Sequence, residues 1–65
     1  MAPRGAIRSY LSTKGSAHID DLARIGDTTP DIAESIVRDL AYRGDVLYHG
    51  DNHGSSKVAE WVGGF

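Results

Sequence analysis

The stretch TTPDIAESIVRDLAYRGDVLYHG, residues 28–50, contains the signals for the start and the end of a helix, followed by a strand. Thr29 is suited to the N-cap, Pro30 to the first helical position and Gly44 to the C-terminal stop. Between these signals apolar side chains recur at helical spacing, at Ala33, Ile36, Val37 and Leu40, with Ile32 on the flank. The sequence therefore predicts an amphipathic helix over about residues 30–43 that packs through one face.

The opposite face of this helix is polar. With successive residues turned by about 100°, it carries Asp31, Ser35, Arg38 and Tyr42, and Glu34 lies beside it. The whole helix has three acidic residues and only two basic ones. The pattern indicates a surface presented to a partner, and it leaves open whether that partner is a nucleic acid or a protein.

The upstream segment predicts two more helices. The helical spacing of Ile7, Tyr10 and Leu11 predicts a first helix over about residues 3–13, which ends at Gly15. Residues 16–18 are expected to be extended. A second helix follows and ends at Gly26, with two acidic residues in its first turn, Asp20 and Asp21, and a buried stripe of Ile19, Leu22, Ala23 and Gly26.

The downstream segment changes to strand formers. One set comes directly after Gly44, and the second set, about ten residues further on, consists of Val58, Trp61 and Val62. The intervening GDNHGSSK, residues 50–57, is rich in turn residues and is interpreted as a hairpin loop. The predicted order is therefore helix, short strand, helix, helix, strand, strand, which is an α+β fold.

The length of 65 residues predicts a single domain, residues 1–65, with its core at about 4–62 and a frayed end at 63–65. A chain of this size buries only about 60 % of the surface that its unfolded form exposes. It has no cysteine for disulfides or for thiolate metal ligands. A homodimer interface would supply additional burial.

The overall charge does not favour bulk attraction to polyanions, because the formal net charge is −2 and the pI is about 5.8. Residues 1–18 nevertheless carry Arg4, Arg8 and Lys14 and no acidic residue. This basic start indicates either a local contact with an anion or a solvated surface. No apolar run approaches the roughly 20 residues that span a bilayer, and no signal-peptide core is present. A cytoplasmic protein without membrane contact is therefore expected.

The order of elements and the sequence IDDLARIGDTTPDIAESIVRDLAYRGDVLY, residues 19–48, resemble a winged helix-turn-helix domain over about residues 4–62. The matching features are Leu22-Ala23 in the second helix, Gly26-Asp27-Thr28 in the turn, and Leu40-Ala41-Tyr42-Arg43-Gly44 at the end of the third helix. The chain resembles small stand-alone winged-helix transcriptional regulators. It is also similar in length to the winged-helix protein associated with bacterial ferrous-iron transport, but it lacks the cysteines usual in that wing, so no iron–sulfur role is implied.

The resemblance implies a homodimeric transcriptional regulator that binds double-stranded DNA, with the third helix in the major groove. It implies that base and phosphate contacts come from the turn and the third helix, at Thr28, Thr29, Asp31, Glu34, Ser35 and Arg38, of which Arg38 suits a bidentate contact with guanine. The wing would contribute His53 and Lys57. Flanking phosphate contacts would come from Arg4, Arg8 and Lys14.

The acidic residues on the same face favour a different interpretation. Asp31 and Glu34 repel phosphate, and Glu34 precedes Arg38 by four residues, the spacing of an intrahelical ion pair. Arg38 therefore contacts either a base or Glu34. The alternative function is a winged-helix protein–protein interaction module that uses the acidic face of this helix. Tyr42 either belongs to that surface or, as favoured here, packs partly against the first wing strand.

The remaining aromatic and titratable residues predict no further chemistry. Trp61 and Tyr10 are expected in or against the core. His18, His49 and His53 have no cysteine or other fixed ligand beside them, so no metal site and no cofactor are predicted. The sequence has no glycine-rich phosphate loop and no nucleophile beside an evident base, and its carboxylates are expected on solvent faces. An enzyme is therefore not expected.

Overall fold

The computed structural model describes residues 2–50 and 57–63. Within these ranges the chain forms three helices and three strands, α1 (Pro3–Lys14), β1 (Ser16–His18), α2 (Ile19–Ile25), α3 (Pro30–Tyr42), β2 (Val46–His49) and β3 (Val58–Trp61). The predicted order of elements and the α+β class are confirmed. Most of the expected hairpin loop lies outside the described residues. No helix in the described ranges is both long and apolar enough to cross a membrane.

The strands form one antiparallel sheet in the order β1-β3-β2, so β3 is the central strand. The pairing of β2 with β3 agrees with the predicted hairpin, whereas the pairing of β1 with β3 goes beyond the prediction. Backbone hydrogen bonds attach β1 to β3 at both ends. The N–H of Trp61 donates to the carbonyl of Gly15 at 2.6 Å, and the N–H of Ile19 donates to the carbonyl of Lys57 at 2.9 Å.

The core lies between the three helices and one face of the sheet. The apolar stripes predicted for the helices are confirmed, although Ile36 is only half-buried and Ile32 is exposed at the edge. Tyr10 and Trp61 are partly buried and pack against the core, as expected. The buried apolar residues are Ile7, Leu11, Ile19, Leu22, Ala23, Ala33, Val37, Leu40, Val46 and Ala59.

Helix α3 begins and ends as its sequence predicts. The hydroxyl oxygen of Thr29 accepts a hydrogen bond from the N–H of Ile32 at 3.3 Å, which satisfies one of the amides of the first turn. At the other end the N–H of Gly44 donates to Ala41 at 3.0 Å, and the N–H of Asp45 donates to Leu40 at 2.9 Å. This pair of bonds is a Schellman motif, and it directs the chain from α3 into β2.

The turn between α2 and α3 uses the same motif without a glycine in the left-handed position. The N–H groups of Asp27 and Thr28 donate to the carbonyls of Arg24 and Ala23 at 3.1 and 2.8 Å. Asp27 has a φ of 53°, the conformation that glycine occupies at the end of α3. The turn brings α3 directly against α2 and leaves the outer face of α3 uncovered.

Replacing Gly44 with alanine is expected to lower the free energy of unfolding by about 1 kcal/mol. The φ of Gly44 is 89°, and a Cβ added there would meet no atom within 4 Å, so the cost is backbone strain alone. Urea unfolding followed by circular dichroism measures it. Asp27→Gly is the reciprocal change at the other left-handed position and is expected to stabilise the protein slightly. Equal stability of Gly44→Ala and the original protein would contradict the proposed strain.

Candidate nucleic-acid interface

The outer face of α3 is exposed along the length of the helix. Asp31, Ser35, Arg38 and Tyr42 all point to solvent, as the helical spacing predicted. The side chain of Tyr42 is 92 % exposed, so the expectation that it packs partly against the first wing strand is wrong. The reason is that Tyr42, the last residue of α3, lies on the side of the helix opposite the buried stripe that includes Leu40.

The start of α3 places two threonines beside this face. Thr28 is half-buried, and its N–H group closes the turn after α2. Thr29 is exposed, but its hydroxyl oxygen already accepts the capping hydrogen bond. Asp31 follows in the first turn, where a negative charge complements the helix dipole. A ligand at this end would therefore meet a hydroxyl group and a carboxylate side by side.

Glu34 lies between two basic side chains at the edge of the outer face. Its Oε2 atom is 3.0 Å from Nη2 of Arg38, and its Oε1 atom is 3.3 Å from Nζ of Lys57. The ion pair with Arg38 is one of the two alternatives left open by the sequence. The ion pair with Lys57 joins α3 to the start of β3, and no local sequence pattern predicts it because the two residues are 23 positions apart.

Tyr48 of β2 lies next to this cluster. The guanidinium carbon of Arg38 is 5.7 Å from the centre of the Tyr48 ring. Burial raises the pKa of Tyr48, and the nearby Glu34 carboxylate raises it further, although the buried hydroxyl makes no well-formed hydrogen bond with any described residue. The pKa of Glu34, by contrast, is lowered, mainly by the hydrogen bond from Lys57. Glu34 is therefore a carboxylate at neutral pH.

Two of the three expected flanking cations are also paired with carboxylates. Arg4 of α1 forms an ion pair with Asp39 of α3. The Nε atom of Arg8 is 3.4 Å from a carboxylate oxygen of Asp45, and its guanidinium lies 5.1 Å from the centre of the Trp61 ring. Asp45 is only 9 % exposed, which corrects the expectation that the carboxylates lie on solvent faces. It is buried because the Schellman turn directs it inward beside α1.

Lys14 is exposed in the last turn of α1, ten residues after Arg4. At 1.5 Å per residue these two cations are about 15 Å apart along the helix. The basic residues at the start of the chain therefore do not form one patch. Arg4 and Arg8 lie one turn apart on the same face of α1, whereas Lys14 lies at the far end of the helix.

The histidines have separate roles. Nδ1 of His18 accepts a hydrogen bond from the N–H of Asp20 at 3.2 Å and caps α2. Nε2 of His49 is 3.2 Å from a carboxylate oxygen of Glu60 on the adjacent strand. His53 lies outside the described residues. Among the residues that are described, no group of three or more metal-binding side chains is close enough to hold an ion.

A cleft of about 230 Å³ separates the starts of α2 and α3 and is lined by His18, Ile19, Asp20, Pro30, Asp31, Glu34 and Lys57. Most of its polar groups are acidic, and Glu34 and Lys57 meet at its edge. A shallower depression of about 370 Å³ lies beside Tyr10 and Arg24. The volume of the cleft is smaller than that of most sites that enclose an organic ligand, which is about 300–1,000 Å³.

A scan against models of protein families finds no match for this chain, and a search of curated proteins finds none either.

The ion pair of Asp39 predicts a dependence of stability on pH. The hydrogen bond from Arg4, with a smaller contribution from Arg43, holds the pKa of Asp39 below its ordinary value of 3.8. A carboxylate with a lowered folded-state pKa stabilises the fold above its unfolded pKa, and this contribution is lost as the pH falls through the folded value. The difference in free energy of unfolding between the original protein and Asp39→Asn should therefore be largest near neutral pH and shrink below about pH 4.

Urea unfolding at a series of pH values measures this difference. Arg4→Ala removes the largest cause of the lowered Asp39 pKa. It should therefore reduce the loss of unfolding free energy at acidic pH in the same way as Asp39→Asn. A difference that stays constant from neutral to acidic pH would assign the effect of the substitution to packing rather than to charge.

Proposed function

We propose that this protein is a winged helix-turn-helix domain that binds double-stranded DNA and regulates transcription. Three helices and a three-stranded antiparallel sheet in the order described are compatible with that fold. Helices α2 and α3 would form the helix-turn-helix, and the β2–β3 hairpin would be the wing. Because one fold serves many functions, support for DNA binding has to come from the surface of α3.

The observation that carries the proposal is the exposure of the outer face of α3 from its first turn to its last. The helix has 13 residues and is therefore about 20 Å long. The major groove is about 12 Å wide and admits a helix of this kind. With α3 in the groove, Thr29 and Asp31 lie at the end where base contacts are concentrated, and Ser35 and Arg38 reach the DNA from the middle.

Flanking contacts to phosphate come from the hairpin and from α1. Lys57 lies directly before β3, and His53, which is outside the described residues, is the second candidate contact taken from the sequence. Arg4 and Arg8 exchange their carboxylate partners for phosphate oxygens, and Lys14 contributes from the end of α1. A single module with so many paired cations binds weakly, so the proposal includes a homodimer whose two copies bind adjacent half-sites.

The second candidate function is docking onto another protein. It is favoured by the neutralisation of Arg38 and Lys57, which removes much of the attraction to DNA. Tyr42 is 92 % exposed and Ile32 is 49 % exposed on the same helix, and aromatic residues are enriched in protein interfaces. In this alternative the acidic outer face of α3 is the partner surface.

A titration against pooled duplex DNA of random sequence at low salt distinguishes the two functions. Fluorescence anisotropy is expected to give a dissociation constant in the micromolar range, and the affinity should fall steeply as salt is added. No binding at tens of micromolar protein would overturn the DNA proposal. Amide shifts confined to the outer face of α3 on addition of a protein partner would then support docking.

A further inference from the structure

The cluster of Glu34, Arg38 and Lys57 has a geometry that goes beyond a surface ion pair. Two cations from different elements, α3 and the segment before β3, each contact a different oxygen of one carboxylate. The carboxylate is the least exposed of the three side chains, at 21 %, compared with 67 % for Arg38 and 47 % for Lys57. The two cations are therefore more exposed to solvent than the half-buried carboxylate between them.

The same arrangement suits a phosphate group. Guanidinium and ammonium groups hold carboxylates and phosphates through the same charge-assisted hydrogen bonds. A phosphodiester, like a carboxylate, presents two oxygen atoms that share one negative charge. Ion pairs between exposed side chains contribute little to stability, so an incoming phosphate can replace Glu34 without disrupting the fold.

We infer that Arg38 and Lys57 together form a binding site for one phosphodiester of the DNA backbone and that the Glu34 carboxylate occupies this site in the free protein. The inference rests on the proposed DNA-binding function. It assigns Arg38 to the backbone rather than to a guanine edge. It also makes Glu34 a competitor of DNA, not one of the contacts that the resemblance implies.

The surroundings of the cluster support this exchange. Arg38 also lies over the ring of Tyr48, a contact that keeps the guanidinium in place when the carboxylate withdraws. The carbonyl of Lys57 accepts a hydrogen bond from the N–H of Ile19 at 2.9 Å, so the backbone of Lys57 is fixed next to β3 independently of Glu34. The guanidinium of Arg38 and the backbone of Lys57 thus have contacts that do not depend on Glu34, and the charge of Glu34 reduces the attraction of both cations to any polyanion.

The test compares Glu34→Gln with Glu60→Gln, the same change at an exposed glutamate on β3 that contacts His49 instead. Both variants gain one unit of net charge. Affinity for a random-sequence duplex is measured by fluorescence anisotropy over a series of salt concentrations, after thermal unfolding has shown that each variant is folded. Glu34→Gln is expected to bind about three- to tenfold more tightly than the original protein at low salt. Its plot of log affinity against log salt should be steeper by about one unit.

The possible outcomes test the phosphate site and the proposed DNA-binding function separately. Tighter binding and a steeper salt dependence for Glu34→Gln, with less than a twofold change for Glu60→Gln, supports the phosphate site. Equal tightening in both variants would mean that bulk charge alone is responsible, and the inference fails. Unchanged or weaker binding by Glu34→Gln also overturns it, while binding by the original protein leaves the proposed function standing. If neither protein binds DNA, the proposed function and the inference fail together.

Discussion

Replacing Leu40 with alanine is expected to lower the free energy of unfolding by about 2–5 kcal/mol, because it leaves a cavity in a closely packed core. Leu40 is fully buried on α3 and also supplies the carbonyl that anchors the turn into β2. A domain of 65 residues has a total stability of about 3–10 kcal/mol, so the variant should lose a large fraction of it and unfold at a clearly lower urea concentration and temperature. Urea and thermal unfolding followed by far-ultraviolet circular dichroism provide the measurement.

The matched control for this prediction is Ile32→Ala. Ile32 is an aliphatic residue on the same helix, but its side chain is 49 % exposed. Its replacement removes a similar volume from the surface and should cost less than about 1 kcal/mol. Equal losses in the two variants would mean that α3 does not pack through the stripe that contains Leu40.

Replacing Arg38 with alanine is expected to weaken DNA binding by about tenfold, within the range of about 1–3 kcal/mol measured for a good arginine contact. Arg38 is exposed in the middle of the outer face, and its side chain pairs with that of Glu34. The loss should be uniform across DNA sequences if Arg38 binds the backbone. It should be confined to particular sequences if Arg38 contacts guanine. Anisotropy titrations against several defined duplexes separate these two results.

Arg24→Ala is the control for the charge change. Arg24 is 80 % exposed on α2 and is paired with Asp21 at 3.0 Å, so it resembles Arg38 in charge, exposure and pairing. Its removal should change DNA affinity less than threefold. If both arginine variants lose affinity equally, the outer face of α3 is not the binding surface. If neither loses affinity, the protein-docking function gains support.

The sequence was sufficient to predict the helices and the face that each one buries. Pro30, Thr29 and Gly44 act through short-range sterics and hydrogen bonds, so their effect can be read without knowledge of the rest of the chain. The three residues of β1 were predicted to be extended, but a segment this short has too few positions for an alternating pattern that would indicate its partner strand. Its pairing with the central strand depends on residues far along the chain.

The candidate site was predicted in outline but not in its electrostatics. Helical spacing placed Ser35 and Arg38 on the outer face, and the structure agrees. The partners of the cations could not be predicted, because Lys57 meets Glu34 only after the hairpin has folded back on α3. Long charged side chains at the surface have many rotamers, and tertiary position selects among them.

The central position of β3 has a consequence for folding kinetics. The helices and the turns between them are stabilised by bonds between residues close in sequence, so these can form early. The sheet pairs Ala17 with Ala59, and it can be completed only after the long intervening chain has paid the entropy of closing that loop. The pairing of β3 with β2 joins neighbouring strands and can form early, so the slow step expected on the way to the native state is the pairing of this hairpin with β1.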